Sequence, residues 1–117
     1  MHNNVVVILC TTPTISIAKT ISHQLVTERL CACATVIDNC TSIYQWKDRV
    51  HEDNEVQMIL KTTAQCVTRL VERLTTLHPY DVPEVLTVPV IGGFDPYLLW
   101  VNTACLPPTD LANGYYD

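Results

Sequence analysis

The sequence predicts an α+β fold, a four-stranded antiparallel sheet with two main helices on one face. Three observations point to it. Apolar residues recur with period two in some segments and near 3.6 in others; these segments run strand–helix–strand–strand–helix–strand–helix; and the two middle strands form an unusually long hairpin.

Val5 to Thr11 is a continuous apolar run rich in β-branched residues, short enough for a strand buried on both faces. Thr12-Pro13 then opens a helix, with the threonine placed to cap and the proline at the first helical position. Within residues 15–30, Ile17, Ala18, Ile21, Leu25 and Leu30 form a stripe, while Lys19, His23, Thr27 and Glu28 mostly face water. Cys33 to Trp46 is a second strand, interrupted near Asp38-Asn39, a pair suited to a bulge. Lys47 to Asn54 is expected to be a polar tip, with His51 and the Glu52-Asp53 run on the surface.

From Glu55 to Thr63 the alternation is clean: Val56, Met58, Leu60 and Thr62 face one way, Glu55, Gln57, Ile59 and Lys61 the other. Thr63 is placed to cap a second helix, on which Cys66, Val67, Leu70, Val71, Leu74 and Leu77 share one side; Pro79 stops it. Glu84 to Val90 is a fourth strand, with Pro89 suited to an edge or a strand end. Gly92-Gly93 turns the chain, and Asp95-Pro96 opens a short helix containing Tyr97, Leu98, Trp100 and Val101. Right-handed crossovers give this order the split-βαβ, ferredoxin-like plan with one added C-terminal helix. Residues 1–108 are expected to form one domain and residues 109–117 a flexible tail after Pro107-Pro108.

The hairpin argues for partners. A helix of about 16 residues is roughly 24 Å long, whereas a strand of about 14 residues spans roughly 46 Å. The second and third strands therefore outrun the helix that covers them, and their far end still carries Ile43, Tyr44, Trp46 and Val50. An uncovered apolar ribbon is an open edge that another copy of the chain can close.

Composition narrows the function. With 7 Lys and Arg against 12 Asp and Glu, a formal net charge of −5, the chain lacks the basic stripe that nucleic acid needs. The longest apolar run, Val5–Cys10, is far below the roughly 20 residues of a membrane span, and no secretory pattern surrounds it. A cytoplasmic protein with no membrane partner is expected. The six cysteines contain no CxxC and no zinc-ribbon spacing, and in a reducing compartment they are expected to stay free.

Several segments resemble the CutA family of divalent-cation tolerance proteins: residues 5–13, Cys31-Ala32-Cys33-Ala34, Thr41 to Trp46, Glu55 to Thr63, His78-Pro79-Tyr80, Val82-Pro83-Glu84 and Tyr97 to Val101. Glu55 to Thr63, EVQMILKTT, is the most specific, and the likeness runs from about Val5 to Ala104. It implies a ferredoxin-like subunit in a homotrimer held by the long hairpin, related in architecture to the PII signalling proteins. It also implies binding of copper and other divalent ions in metal homeostasis, without an enzymatic activity.

Against that background the candidate residues fall into two sets. Cys10 matches a cysteine proposed as a copper ligand, and thiolates suit copper, although most free cysteines are simply buried. His78 matches the second position of a His-His-Pro pattern, where this chain has Leu77 first and so lacks one imidazole; it reads equally as a helix C-terminal residue. Cys33 is a weaker metal candidate: Cys31 and Cys33 form a C-x-C pair that shares a face if both lie on a strand. The second set is Trp46, Lys61, Glu84, Tyr97 and Trp100. Lys61 is a lone charge in an apolar strand with Glu84 as a natural partner, and the aromatics suit either a packed cluster or a small-ligand cleft between subunits. That second set supports an alternative function, a PII-like signalling or scaffold protein. A nucleophile–base constellation is absent from the pattern, so catalysis is not expected.

Overall fold

A computed structural model of the chain describes residues 3–107. The expected flexible tail at 109–117 lies outside the described residues. The elements are β1 (Val5–Thr12), α1 (Ile15–Thr27), β2 (Cys33–Trp46), β3 (Arg49–Thr63), α2 (Val67–Leu77), β4 (Val85–Pro89) and α3 (Asp95–Ala104). The strands form one antiparallel sheet in the order β2-β3-β1-β4, the ferredoxin-like arrangement. Pro89 ends β4 at the sheet edge, where its missing N–H costs no ladder bond.

Alternation along β1 and β3 builds the core. Ile8, Cys10, Val56, Met58 and Leu60 point to the face covered by α1 and α2, and meet Ala18, Ile21, Leu25, Leu70 and Leu74. A second, smaller cluster joins Val5, Cys66, Leu98, Val101 and Cys105 under α3. Cys66 therefore belongs with α3 and not on the core stripe of α2, because it precedes the helix in a 3₁₀ turn, Ala64–Cys66.

Other sequence expectations shift locally. The cap of α1 is Thr14, whose hydroxyl accepts from Ile17 N–H at 3.2 Å; Pro13 stands before the cap and Thr12 does not cap. Thr63 makes no side-chain cap, since the 3₁₀ turn separates it from α2. The polar tip shrinks to Lys47-Asp48, because β3 begins at Arg49 and pairs back to β2 as far as Trp46. Both turn residues have positive φ, 53° and 63°, as a two-residue hairpin loop matched to strand twist requires. The bulge falls where expected: the β2–β3 register shifts between Ile37 and Cys40, with Asn39 at φ 66°.

Arg29 ties the two clusters together. It sits at φ 60° just past α1, where its N–H and that of Leu30 donate to the carbonyls of Val26 and Leu25. Its guanidinium then donates to the carbonyls of Thr103, Ala104 and Cys105, which closes the C-terminus of α3.

The hairpin projects beyond the helices, and the longest molecular dimension is 47 Å. On it Ile43, Trp46 and Val50 are 66%, 55% and 70% exposed. The sheet face opposite α1 and α2 also presents Ile37, Leu86 and Val88 to solvent.

A candidate cation groove between the hairpin and the α2–β4 loop

Cys10 and His78 come together on one backbone atom. Cys10, fully buried on β1, turns its S–H to the carbonyl of Thr11 at 3.6 Å. His78, at the end of α2, places Nε2 2.7 Å from the same carbonyl. A carbonyl only accepts, so Nε2 carries the proton. Nδ1 is then the acceptor for Tyr80 N–H at 3.1 Å, and the ring packs against that of Tyr80 with centroids 4.9 Å apart. Both imidazole nitrogens are occupied, so metal ligation by this ring costs a hydrogen bond at either one.

Thr11 also forms part of the wall of a groove of about 910 Å³ beneath the hairpin. Ser42, Tyr44 and Trp46 line its β2 side; Tyr80, Asp81 and Glu84 line the loop side. Glu55 completes it, accepting from the Tyr80 hydroxyl at 3.1 Å. At the outer end Tyr44 stacks on His51 with centroids 5.4 Å apart and donates its hydroxyl to Asp53. His51 and Asp53 are thus fixed members of the ribbon.

The groove's charge is negative. Burial pushes the Cys10 thiol up to about 12, and the charges of Glu84 and then Glu55 push in the same direction. Tyr80 is also raised to about 12, by burial first and then by its bond to Glu55. Cys10 and His78 stand behind the groove wall, both bonded to the carbonyl of Thr11, while Glu55, Asp81 and Glu84 line the groove itself. Among the described residues no three His, Cys, Asp or Glu groups stand close enough to form a ready metal shell.

The remaining candidates lie elsewhere. Lys61 does not pair with Glu84: its Nζ donates to Thr35 Oγ1 at 2.8 Å and approaches Cys33 Sγ at 3.9 Å. Register explains this, since Lys61 stands opposite Val7 whereas Val85, next to Glu84, stands opposite Cys10. Three residues along β1 amount to roughly 10 Å. Tyr97 and Trp100 pack together on α3 with centroids 5.6 Å apart, and are not among the groove-lining residues. Of the five expected cleft residues, one chain brings only Trp46 and Glu84 to the groove. Cys31 and Cys33 also part: Cys31 precedes β2 and is buried in the main core, while Cys33 sits beside Lys61.

Sequence reasoning missed Glu55, Tyr44 and Tyr80 as groove residues. The signal lay in strand phase, because Glu55 falls on the face of β3 away from the helices, and Tyr80 in the segment carried back beneath the ribbon.

Comparison with known proteins is consistent along nearly the whole chain. The family model of the CutA1 divalent ion tolerance protein matches residues 6–104. The divalent-cation tolerance protein CutA of Escherichia coli O139:H28 is 43% identical over 99 residues, covering 85% of this chain and 88% of that protein. The crystal structure of CutA from Xylella fastidiosa superposes with a TM-score of 0.85 at 39% identity, covering 88% of this chain and 99% of the other. The divalent cation tolerance protein of Thermus thermophilus gives 0.85 at 40% identity, covering 87% and 99%.

Proposed function

The chain belongs to the CutA1 divalent ion tolerance family, and from that premise we propose that it serves metal tolerance as a cytoplasmic homotrimer binding divalent cations, copper among them, in the groove beside Cys10. The carrying observation is electrostatic. Glu84 and Glu55 both line the groove, so a cation entering it meets two carboxylates.

Carboxylate oxygens make the first contact; Cys10 joins when its bond to Thr11 opens, and His78 when its bond to Thr11 or to Tyr80 does. A soft ion such as copper gains most from that second step. One chain offers no group of three donors among the described residues, so the shell is completed by water or by a neighbouring subunit. The exposed Ile43, Trp46 and Val50 on the ribbon, and Ile37, Leu86 and Val88 on the sheet, are the surfaces that trimerisation covers. Binding is preferred to catalysis by Cys10 in this reading, since a buried thiol with a raised pKa is a poor nucleophile.

Calorimetric titration of the reduced protein with Cu(II) and Zn(II) tests the reading. Glu84→Gln and Glu55→Gln weaken binding of both ions, and Cys10→Ser weakens copper more than zinc. Unchanged affinities in both carboxamide variants would remove the groove from consideration.

A second reading rests on the split of the expected cleft. Trp46 and Glu84 line the groove, whereas Lys61, Tyr97 and Trp100 lie outside it. A PII-like small-ligand cleft using all five needs two subunits, and Lys61→Ala then abolishes any thermal stabilisation by a small anion. Stabilisation that survives Lys61→Ala would contradict it.

A further inference from the structure

A polar cavity of about 610 Å³ lies away from the groove, where the start of β1, the end of β3 and the ends of α1 and α3 meet. Backbone bonds fix its frame. Val5 pairs with Thr63 across β1 and β3, Ala64 N–H donates to the carbonyl of Asn4 at 2.7 Å, and Leu106 N–H donates to that of Arg29 at 2.9 Å. Arg29, Thr63, Gln65 and Asn102 are among its polar lining, and the groove uses none of them.

Two of these side chains have unused bonding capacity. Thr63 is 3% exposed, and its hydroxyl has no hydrogen-bond partner among the described residues. Few buried polar groups are left so, because each costs the fold desolvation energy. Arg29 commits Nε to the carbonyl of Ala104 at 3.0 Å, and Nη2 to those of Thr103 and Cys105 at 3.0 and 3.4 Å. Those bonds hold the guanidinium in place and leave Nη1 uncommitted among the described residues, a preorganised donor.

We propose that this cavity binds a small organic carboxylate, taken by Arg29 Nη1 and the Thr63 hydroxyl.

Charge selects that class. Among the described residues Arg29 is the one charged group in the lining, and no carboxylate stands there. An anion is therefore favoured and a metal cation is not, the reverse of the groove. One guanidinium answers a singly charged carboxylate, whereas a phosphate dianion keeps a second charge unanswered. The carboxamide of Gln65 donates and accepts, and Asn102, whose Nδ2 donates to the carbonyl of Leu98 at 2.9 Å, keeps its oxygen as an acceptor. They suit a ligand with a hydroxyl or amide besides its carboxylate. The volume is that of a small-molecule site. The inference depends on neither metal binding nor assembly.

Amide-resolved NMR titration of the full chain tests it, with lactate and succinamate as probes, succinamide as the neutral control and inorganic phosphate as the competing anion. Both carboxylates shift the backbone signals of Thr63, Gln65 and Asn102, and succinamide binds at least about 10-fold more weakly than succinamate. Thr63→Val lowers carboxylate affinity about 10-fold while leaving the ligand-free melting temperature unchanged or higher, because no bond of the fold is lost. Gln65→Leu, at an exposed position, weakens succinamate without changing the fold. Glu55→Gln/Glu84→Gln leaves the titration as it was, which separates this cavity from the groove. No shift at those three residues with either carboxylate would overturn the proposal, as would phosphate binding more tightly than both. A lower ligand-free melting temperature in Thr63→Val would also overturn it, by showing the hydroxyl to be bonded within the fold.

Discussion

His78 donates Nε2–H to the carbonyl of Thr11 at 2.7 Å, across the junction between the end of α2 and the end of β1. The same ring accepts from Tyr80, so one buried side chain fixes both the sheet end and the loop that walls the groove. His78→Ala leaves the Thr11 carbonyl with only the weak Cys10 S–H donor and the Tyr80 N–H without its imidazole acceptor, and is expected to cost about 1–3 kcal/mol. Urea denaturation of the variant measures it; a loss below about 0.5 kcal/mol would show the ring to be a bystander.

Alkaline stability follows from the buried thiols. Cys10 and Cys31 are each raised from 9.0 to about 12, burial being the largest cause for both. Because the folded values exceed the ordinary ones, the unfolded chain loses these protons first as pH rises. The stability from keeping them neutral is complete below pH 9 and is lost progressively between about 9 and 12. Melting temperature should fall over that window, and less steeply in Cys10→Ser, which has no thiol to ionise there. An identical slope in the variant would contradict the assignment.

The Lys47-Asp48 turn stores conformational strain, since both non-glycine residues hold positive φ. Asp48→Gly removes that strain at the cost of added freedom in the unfolded chain, a net gain of about 0.5 kcal/mol. Asp48→Val tightens the strain and costs about 1 kcal/mol or more. Denaturation midpoints in the order Gly, Asp, Val are expected; Val above Asp would mean that the turn has another conformation.

Most of the architecture was legible in the sequence because periodicity reports burial directly. The phase of Val56, Met58, Leu60 and Thr62 set the inner face of β3, and all four are buried. Register was less legible. Lys47-Asp48 carries neither glycine nor asparagine, so nothing marked it as a tight turn, and the polar run of residues 49–54 read as a tip when it is paired strand. The site was legible in part for the same reason. Cys10 and His78 do converge, but on the carbonyl of Thr11, and backbone acceptors leave no trace in side-chain chemistry. Lys61 and Glu84 looked like partners by charge alone, and the β1 ladder holds them apart.

Assembly through the uncovered ribbon and sheet face, and cation binding by that assembly, are the two proposed properties on which the function rests. Native mass spectrometry before and after addition of Cu(II) tests both parts together. A species at three times 13.1 kDa that gains metal on each subunit is the expected result. A monomer that takes up no metal would contradict the account.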